Sequence, residues 1–423
     1  MSPRPSGRRQ AGRSDSGRGP HPVTARVLLE GATLAVPLAE LLAARRLVLD
    51  SWVHERTFDR PGAGAAALYR VTAIGSSGER LTVYAGATTS QAAGAGPVLR
   101  TSLSGVRLFL WLHPHDPLLP DLPWALAPAE MARQLFGSAE TGNMNLSVIG
   151  YRPLRRAVVH AVNGQDEAYV KVVLPAHAEG LRRRHQLLAE SPVPAPALLA
   201  GAEGRSAVAL SPLPGEPLLH GLADGSSPIT PADLTSVLDA LPEAALALSR
   251  RPAWAERARA YGRAAAGVLP GDNPRITGIS REIESMVAAL DPGPVVPVHG
   301  DFYEGNLLTA GGRITGVLDV DGLGPGHRVD DLACFLGHLA VLARLSPESA
   351  LPGKLTEYRA GFEAAAEQAG SSAAALNARA AGVALSLVPG AREGRKLDRH
   401  SNAGLRLAAA EGLLERAKHS RGA

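Results

Sequence analysis

Residues 296–322, VPVHGDFYEGNLLTAGGRITGVLDVDG, constrain the fold more tightly than any other stretch of the chain. The apolar VPV run predicts a short strand that delivers His299, Gly300 and Asp301 into a tight loop, with Gly300 and Gly305 permitting the backbone to turn. LLTA and RITGVL predict two antiparallel strands joined at Gly311-Gly312. Such a hairpin folds the segment back on itself, so that Asn306 at one end comes close to Asp319 at the other.

The surroundings predict more than one folded unit, because 423 residues exceed what a single core usually organises. Residues 1–20 are rich in Arg, Gly, Ser and Pro and nearly devoid of apolar side chains, so they read as a disordered basic tail. No apolar run follows Arg8 and Arg9, so no secretory or twin-arginine signal is read there. The tail carries five Arg against one Asp, which accounts for the whole formal charge of +4. The remaining chain is neutral, and a nucleic-acid partner is the weaker reading. No apolar run reaches the length of a membrane span, and the single cysteine, Cys334, excludes an intramolecular disulfide and a cysteine metal cluster. A soluble, cytoplasmic protein is expected.

Residues 21–140 are read as a small α+β domain of unassigned role. Residues 25–60 show a largely helical pattern, ALYRVTAI and RLTVYAGA alternate with period two around Gly75–Gly78, VRLFLWLH supplies a third strand, and a helix begins near Pro128. From 141 to 213 the strand signal returns as NLSVIGY, AVVHAV and AYVKVV, a meander whose last turn falls at Asn163-Gly164, followed by the helix HAEGLRRRHQLLAE and the strand SAVALSPL. Helical patterns dominate 214–423, including LTSVLDALPEAALALSR, SREIESMVAAL, DDLACFLGHLAVLARL and LRLAAAEGLLERAK. Strands, helix, strands and then helices is an α+β, two-lobe order.

The chemistry legible here is that of a hard cation. An amide oxygen on Asn306 and a carboxylate on Asp319 are ligands that Mg2+ accepts, with waters and triphosphate oxygens completing the shell. Asp301 is left to orient and polarise an acceptor hydroxyl. Phosphoryl transfer suits such a site, since it asks of the protein mainly alignment and charge neutralisation.

HGDFYEGN followed by GVLDVDG resembles the catalytic loop (299–306) and metal motif (319–321) of the aminoglycoside phosphotransferase and choline kinase superfamily, relatives of protein kinases. GPGHRVDDLACFL adds the Asp-Leu-Ala that opens that family's next helix. The resemblance implies a protein-kinase-like two-lobe fold, with a β-rich N-lobe over 141–213 and a helical C-lobe over 214–423. It implies Mg2+ and ATP or GTP as cofactor and co-substrate, and a small-molecule acceptor. By it Asp301 and Asn306 are catalytic, and Asn306 and Asp319 hold metal, with Asp321 ranked second. His299 and Asp331 support the loop, with Asp330 the alternative to Asp331. Lys171 in AYVKVV matches the lysine that meets the α and β phosphates, and Glu179 is the candidate to hold it, against the reading of a solvated first-turn carboxylate.

The sequence departs from kinases generally between the first two strands of the meander, where Tyr151–Arg156 replaces a glycine-rich loop. Arg155 and Arg156 either clamp phosphates with their planar donors or are solvated hairpin-tip charges. SPLPGEPL resembles the family's hinge, with backbone near Pro212 and Leu213 facing the purine, or is a plain linker between lobes. The net basic stretch GAREGRKLDRHSNAGLR favours a neutral or anionic acceptor over a polycationic aminoglycoside. A peptide-modifying kinase of a biosynthetic pathway and a catalytically weak, kinase-like binding module are the alternatives. Oligomeric state is not legible.

Overall fold

The computed structural model describes residues 22–60, 64–91, 96–138, 140–392 and 397–422. The tail read at 1–20 lies outside these residues. The chain divides into two compact units between Pro117 and Leu118.

The first unit begins with helices α1 (Pro22–Glu30) and α2 (Ala35–Ala43). A five-stranded antiparallel sheet follows, made of β1 (Val48–Arg60), β2 (Gly64–Ile74), β3 (Arg80–Thr88), β4 (Leu99–Leu103) and β5 (Val106–Leu112), in the order β1-β2-β3-β5-β4. Alternation places Ala65, Ala67, Tyr69, Val71 and Ala73 of β2 on one face, where they meet Leu29, Leu34, Leu38 and Leu42 of the helical segment. The helical pattern read over 25–60 therefore stops short. Arg46 takes a left-handed conformation (φ 57°), and the backbone closes α2 through Arg46 N to Ala43 O and Leu47 N to Leu42 O. Beyond it the β-branched and aromatic residues Val48, Trp52, Val53, Thr57 and Phe58 favour an extended chain, and β1 pairs with β2 from Val48↔Ile74 to Arg60↔Gly64. Strand β4 had no counterpart in the sequence reading.

The second unit opens with α3 (Leu122–Ala125) and α4 (Pro128–Leu135), which pack on a second five-stranded sheet. Its strands are β6 (Met144–Arg152), β7 (Arg156–Asn163), β8 (Asp166–Val173), β9 (Leu198–Leu199) and β10 (Ala207–Leu210), in the order β6-β7-β8-β10-β9, with α5 (Pro175–Ala189) between β8 and β9. Residues 118–138, read from the sequence with the N-terminal domain, lie in this unit. Leu119, Leu122, Trp124 and Met131 share a core with Ala157, Val159, Val170, Val172 and Ala209. Gly201 (φ 99°) is needed there, since a Cβ would lie 2.2 Å from the carbonyl oxygen of Gln134. The period of two sends Val170 and Val172 to that core and Lys171 to the opposite face.

The helical part carries β11 (Glu216–Pro217), α6 (Leu218–Asp224), α7 (Pro231–Asp239), α8 (Ala258–Val268) and α9 (Asn273–Ala289). Then come the short strands β12 (Val295–Val298), β13 (Leu307–Ala310), β14 (Arg313–Val317) and β15 (Gly324–His327), and the helices α10 (Arg328–Leu345), α11 (Leu351–Gln368), α12 (Ala373–Leu387) and α13 (Arg399–Gly422). The run read as one helix from Leu234 to Arg250 ends as α-helix at Asp239, ahead of Pro242, and resumes as a 3-10 turn over Glu243–Ala247. α10 is buried on nearly all sides and joins α11, α12 and α13 in one core. The second unit thus has the α+β two-lobe order expected from the sequence, a sheet-rich part followed by a helical part. Among the described residues no helix is long and apolar enough to cross a membrane.

Candidate active site

Strand β12 pairs antiparallel with β15, Val298 opposite Gly324, so the loop leaving β12 runs beside the residues that precede β15. Gly300 (φ 81°) and Gly322 stand back to back. A Cβ on Gly300 would lie 2.9 Å from the carbonyl oxygen of Gly322, and one on Gly322 would lie 2.6 Å from that of His299. Asp301 is thereby held against the Asp319–Gly322 segment. His299 is buried; its Nδ1 accepts the Asp301 N–H at 3.3 Å, which leaves Nε2–H to donate to the Leu318 carbonyl at 2.9 Å. Burial lowers its pKa, so the ring is neutral and committed to the backbone. Asp331, at the start of α10, is fully buried and accepts the N–H groups of His299 at 2.7 Å and Gly300 at 2.8 Å on separate oxygens. Burial pushes its carboxyl up to about 7, against the pull of those two donors.

The hairpin of β13 and β14 turns at Gly311 (φ 57°) and Gly312 (φ 74°), both in the left-handed region that glycine tolerates. Leu307 pairs with Val317, and the Leu318 N–H donates to the Asn306 carbonyl at 2.8 Å, which sets Asn306 beside Asp319. Asn306 Nδ2 donates to the Asp301 carbonyl at 2.9 Å, so its Oδ1 is the atom left for another partner. Asp319 itself is left-handed (φ 55°, ψ 51°), a conformation that costs a non-glycine residue about 1–2 kcal/mol and that clusters at functional sites.

Two cations converge on the paired carboxylates. Lys171 Nζ donates to Asp319 at 2.6 Å and to Asp321 at 2.5 Å. Arg156 Nη1 reaches Asp319 at 3.1 Å and Asp321 at 3.3 Å. Burial would raise the Asp319 carboxyl, but Lys171 and Arg156 hold it well below the usual range. Among the described residues no cation forms an ion pair with Asp301. Burial and the facing Asp319 carboxylate push it up to about 6, and its nearest side-chain donor is Cys334 Sγ at 3.9 Å.

The sequence candidates thus fall into two groups. His299, Asp301, Asn306, Asp319, Asp321, Asp331, Lys171 and Arg156 are brought together. Glu179 is not: its side chain is 85% exposed and its nearest cation is Arg182 at 3.7 Å. The reason is helical phase, because α5 buries Ala178, Leu181, Arg184, His185 and Leu188, and Glu179 lies on the opposite face. The carboxylates on Lys171 are Asp319 and Asp321 instead. Asp330, the alternative support for the loop, points to α12 and pairs with Arg379 at 2.6 Å. Pro212 and Leu213 lie between β10 and β11 and do not line the cavity described next.

A cavity of 420 Å³ opens above Asp301, Asp319 and Asp321. The β6–β7 turn contributes Arg152, Arg155 and Arg156, α5 contributes His177 and Arg184, and the segment before α8 contributes Arg251, Trp254 and Arg257. Sequence reasoning found Arg155 and Arg156 and missed the rest. The available signal was the density of arginine in SRRPAWAERARAYGR, which reads equally well as a solvated face. Two carboxylates and an amide oxygen are a donor set that fits a hard cation. Among the described residues no three His, Cys, Asp or Glu side chains are grouped to hold a metal, so such a cation would need Asn306 and non-protein oxygens.

The family model described as "Phosphotransferase enzyme family" matches residues 154–376, more than half of the chain. The chain belongs to this family. The matched region of the phosphotransferase runs from the β6–β7 turn into α12, contains Lys171, Asp301, Asn306 and Asp319, and leaves the first unit outside. Its fold is the protein-kinase-like two-lobe fold. No curated protein matches the sequence. Similar solved structures include a microcompartment-associated aminopropanol kinase, at 18% identity over 70% of this chain and 97% of that one, with a TM-score of 0.47. A thermostable aminoglycoside phosphotransferase in ternary complex with ADP and hygromycin B shows 15% identity over 68% and 97% of the two chains, with a TM-score of 0.47. Choline kinase from Cryptosporidium parvum Iowa II shows 10% identity over 69% and 94%, with a TM-score of 0.42.

Proposed function

We propose that this phosphotransferase moves the γ-phosphoryl group of ATP or GTP to a hydroxyl of a small molecule in a Mg2+-dependent reaction. The observation that carries the reading is the pairing of Asp319 and Asp321 with Lys171 and Arg156, within electrostatic reach of a nearly ionisation-poised Asp301. Such an array of fixed charges is what phosphoryl transfer requires of a protein.

In this reading Lys171 and Arg156 bind phosphate oxygens, with Arg155 beside them at the tip of the β6–β7 turn. Asn306 and Asp319 hold the metal, Asp321 ranks second, and the bound ion supplies neutralisation of triphosphate charge. Asp301 orients the acceptor hydroxyl and takes up its proton as the new P–O bond forms and the bond to the β-phosphate oxygen breaks. His299 and Asp331 hold the loop that carries Asp301. Pro212 and Leu213 border the base of the nucleotide. A triphosphate-consuming reaction fits a cytoplasmic location.

The test is transfer of radiolabelled γ-phosphate to a panel of hydroxyl compounds, paired with melting temperature in MgATP. MgATP should stabilise the protein, and Asp319→Ala should remove the magnesium-dependent part of that shift and lower turnover roughly 10³-fold. Retention of the full magnesium-dependent shift in Asp319→Ala would overturn the metal assignment.

A further inference from the structure

The charge of the cavity deepens the phosphotransferase reading, on which this inference rests. Six arginines line the cavity against three aspartates, and two of those aspartates are already shared by Lys171 and Arg156. Addition of a magnesium triphosphate, about −2 in net charge, still leaves the cavity positive.

The arginines on α5 and before α8 differ from their neighbours in pairing. Arg250 is bound to Glu256, and Arg259 to Glu284 at 3.4 Å. Arg251 and Arg257, on the same stretch but lining the cavity, have no carboxylate partner among the described residues; Arg257 lies only over the ring of Tyr261, 5.7 Å from its centroid. Arg184 is stricter still. It is 8% exposed, yet its Nε and Nη1 donate to backbone carbonyls, those of Leu323 at 2.9 Å and Gly180 at 2.7 Å, and to no carboxylate among the described residues. Burial and the neighbouring Arg251 hold its guanidinium below its ordinary value, and Asp321, the carboxylate that offsets them, is spent on Lys171 and Arg156. A buried guanidinium fixed by carbonyls and left without a counter-ion is a prepared anion holder, because leaving it unpaired is costly.

We propose that the acceptor is an anion: a hydroxyl compound bearing a phosphate or carboxylate group that Arg184, Arg251 and Arg257 receive, while its hydroxyl faces Asp301. Planar guanidinium groups match both oxyanions through paired N–H donors. Trp254, which also lines the cavity, offers an apolar wall to the body of the acceptor. A polycationic aminoglycoside meets the reverse of what it needs, since the three lining carboxylates are those the phosphotransfer chemistry already uses.

The full chain is saturated with MgADP, or with MgGDP if that is the nucleotide that shifts its melting, so that the α- and β-phosphate positions are filled, and its melting temperature is followed at constant ionic strength set with sodium chloride. Glycerol 3-phosphate, glycerate, glycerol and the aminoglycoside neamine are the probes. At least one anionic probe should add roughly 2–4 °C beyond MgADP, glycerol and neamine nothing, and the comparison of phosphate with carboxylate identifies the group recognised. The double variant Arg251→Gln, Arg257→Gln should lose that increment while its ligand-free melting temperature stays within about 1 °C, both side chains being exposed. No increment from either anion, an increment from neamine, or an increment unchanged in the double variant overturns the proposal. Absence of a melting shift with both MgADP and MgGDP instead overturns the phosphotransferase reading beneath it.

Discussion

Asp301 is pulled in two directions by its neighbours. Burial and the negative charge of Asp319 push its carboxyl up to about 6, while Arg156 and Arg152 pull it down. A group raised in the folded chain from its ordinary 3.8 holds its proton more tightly there than when unfolded. Its ionisation therefore weakens folding as pH rises from about 4 through about 6. The proposed role needs the ionised form, so turnover has the opposite trend. The acid limb of kcat/KM should break near pH 6 with a slope of one proton, and Asp301→Asn should lower kcat about 10²- to 10⁴-fold and abolish the limb. A limb that persists in Asp301→Asn would assign it to another group. At this scale the sequence was legible where spacing and hairpin geometry act together, as for Asn306, Asp319 and the Gly311-Gly312 turn between them. It was silent on Arg152, Arg184, Arg251 and Arg257, because they come from three separate segments and nothing local marks which arginines of a basic run turn inward.

The first turn of α10 shows how one element divides two adjacent charges. Asp330 and Asp331 are 100° apart around the helix, and this sends Asp331 to the backbone of His299 and Gly300 and Asp330 to Arg379 on α12. Asp331→Ala strands the N–H donors of His299, which is buried, and Gly300, which is partly so, and should cost about 2–5 kcal/mol and depress turnover by loosening the loop that carries Asp301. Asp330→Ala strands the buried Arg379 guanidinium and should cost about 3–5 kcal/mol, with turnover per folded molecule close to the parent. Urea denaturation with activity assays on both variants separates the two, and equal turnover losses would contradict the division. The sequence left this choice open because two neighbouring acids at a helix start look alike without knowing what each faces. Phase also explains Glu179, whose place in the first turns of α5 is visible in the sequence but whose outward face is not. Strand β1 was hidden for another reason: the Leu- and Ala-rich run of α2 ends only a few residues before it, and a window spanning both averages a helical period over an extended segment.

Each of the two units has a core of its own, and the position of the boundary has a measurable consequence. Composition places the junction at the Pro-rich connector without saying on which side of it the apolar residues belong. Leu119, Leu122, Trp124 and Met131 are buried against the sheet of the second unit. Asp121 accepts the Ser206 N–H at 2.7 Å, and Arg205 stacks over Trp124 with its guanidinium 4.3 Å from the ring centroid. Burial of the four large side chains contributes roughly 6–12 kcal/mol, the same order as the whole stability of a domain. A chain spanning 118–423 should therefore fold as a soluble protein with one cooperative transition and a MgATP-dependent melting shift. A chain spanning 141–423 contains every residue proposed to act in the reaction but exposes the face of Ala157, Val159, Val170 and Val172, and should aggregate or melt without a cooperative transition. Melting of the shorter chain within about 2 °C of the longer one would mean that residues 118–138 only lie on this sheet without sustaining it.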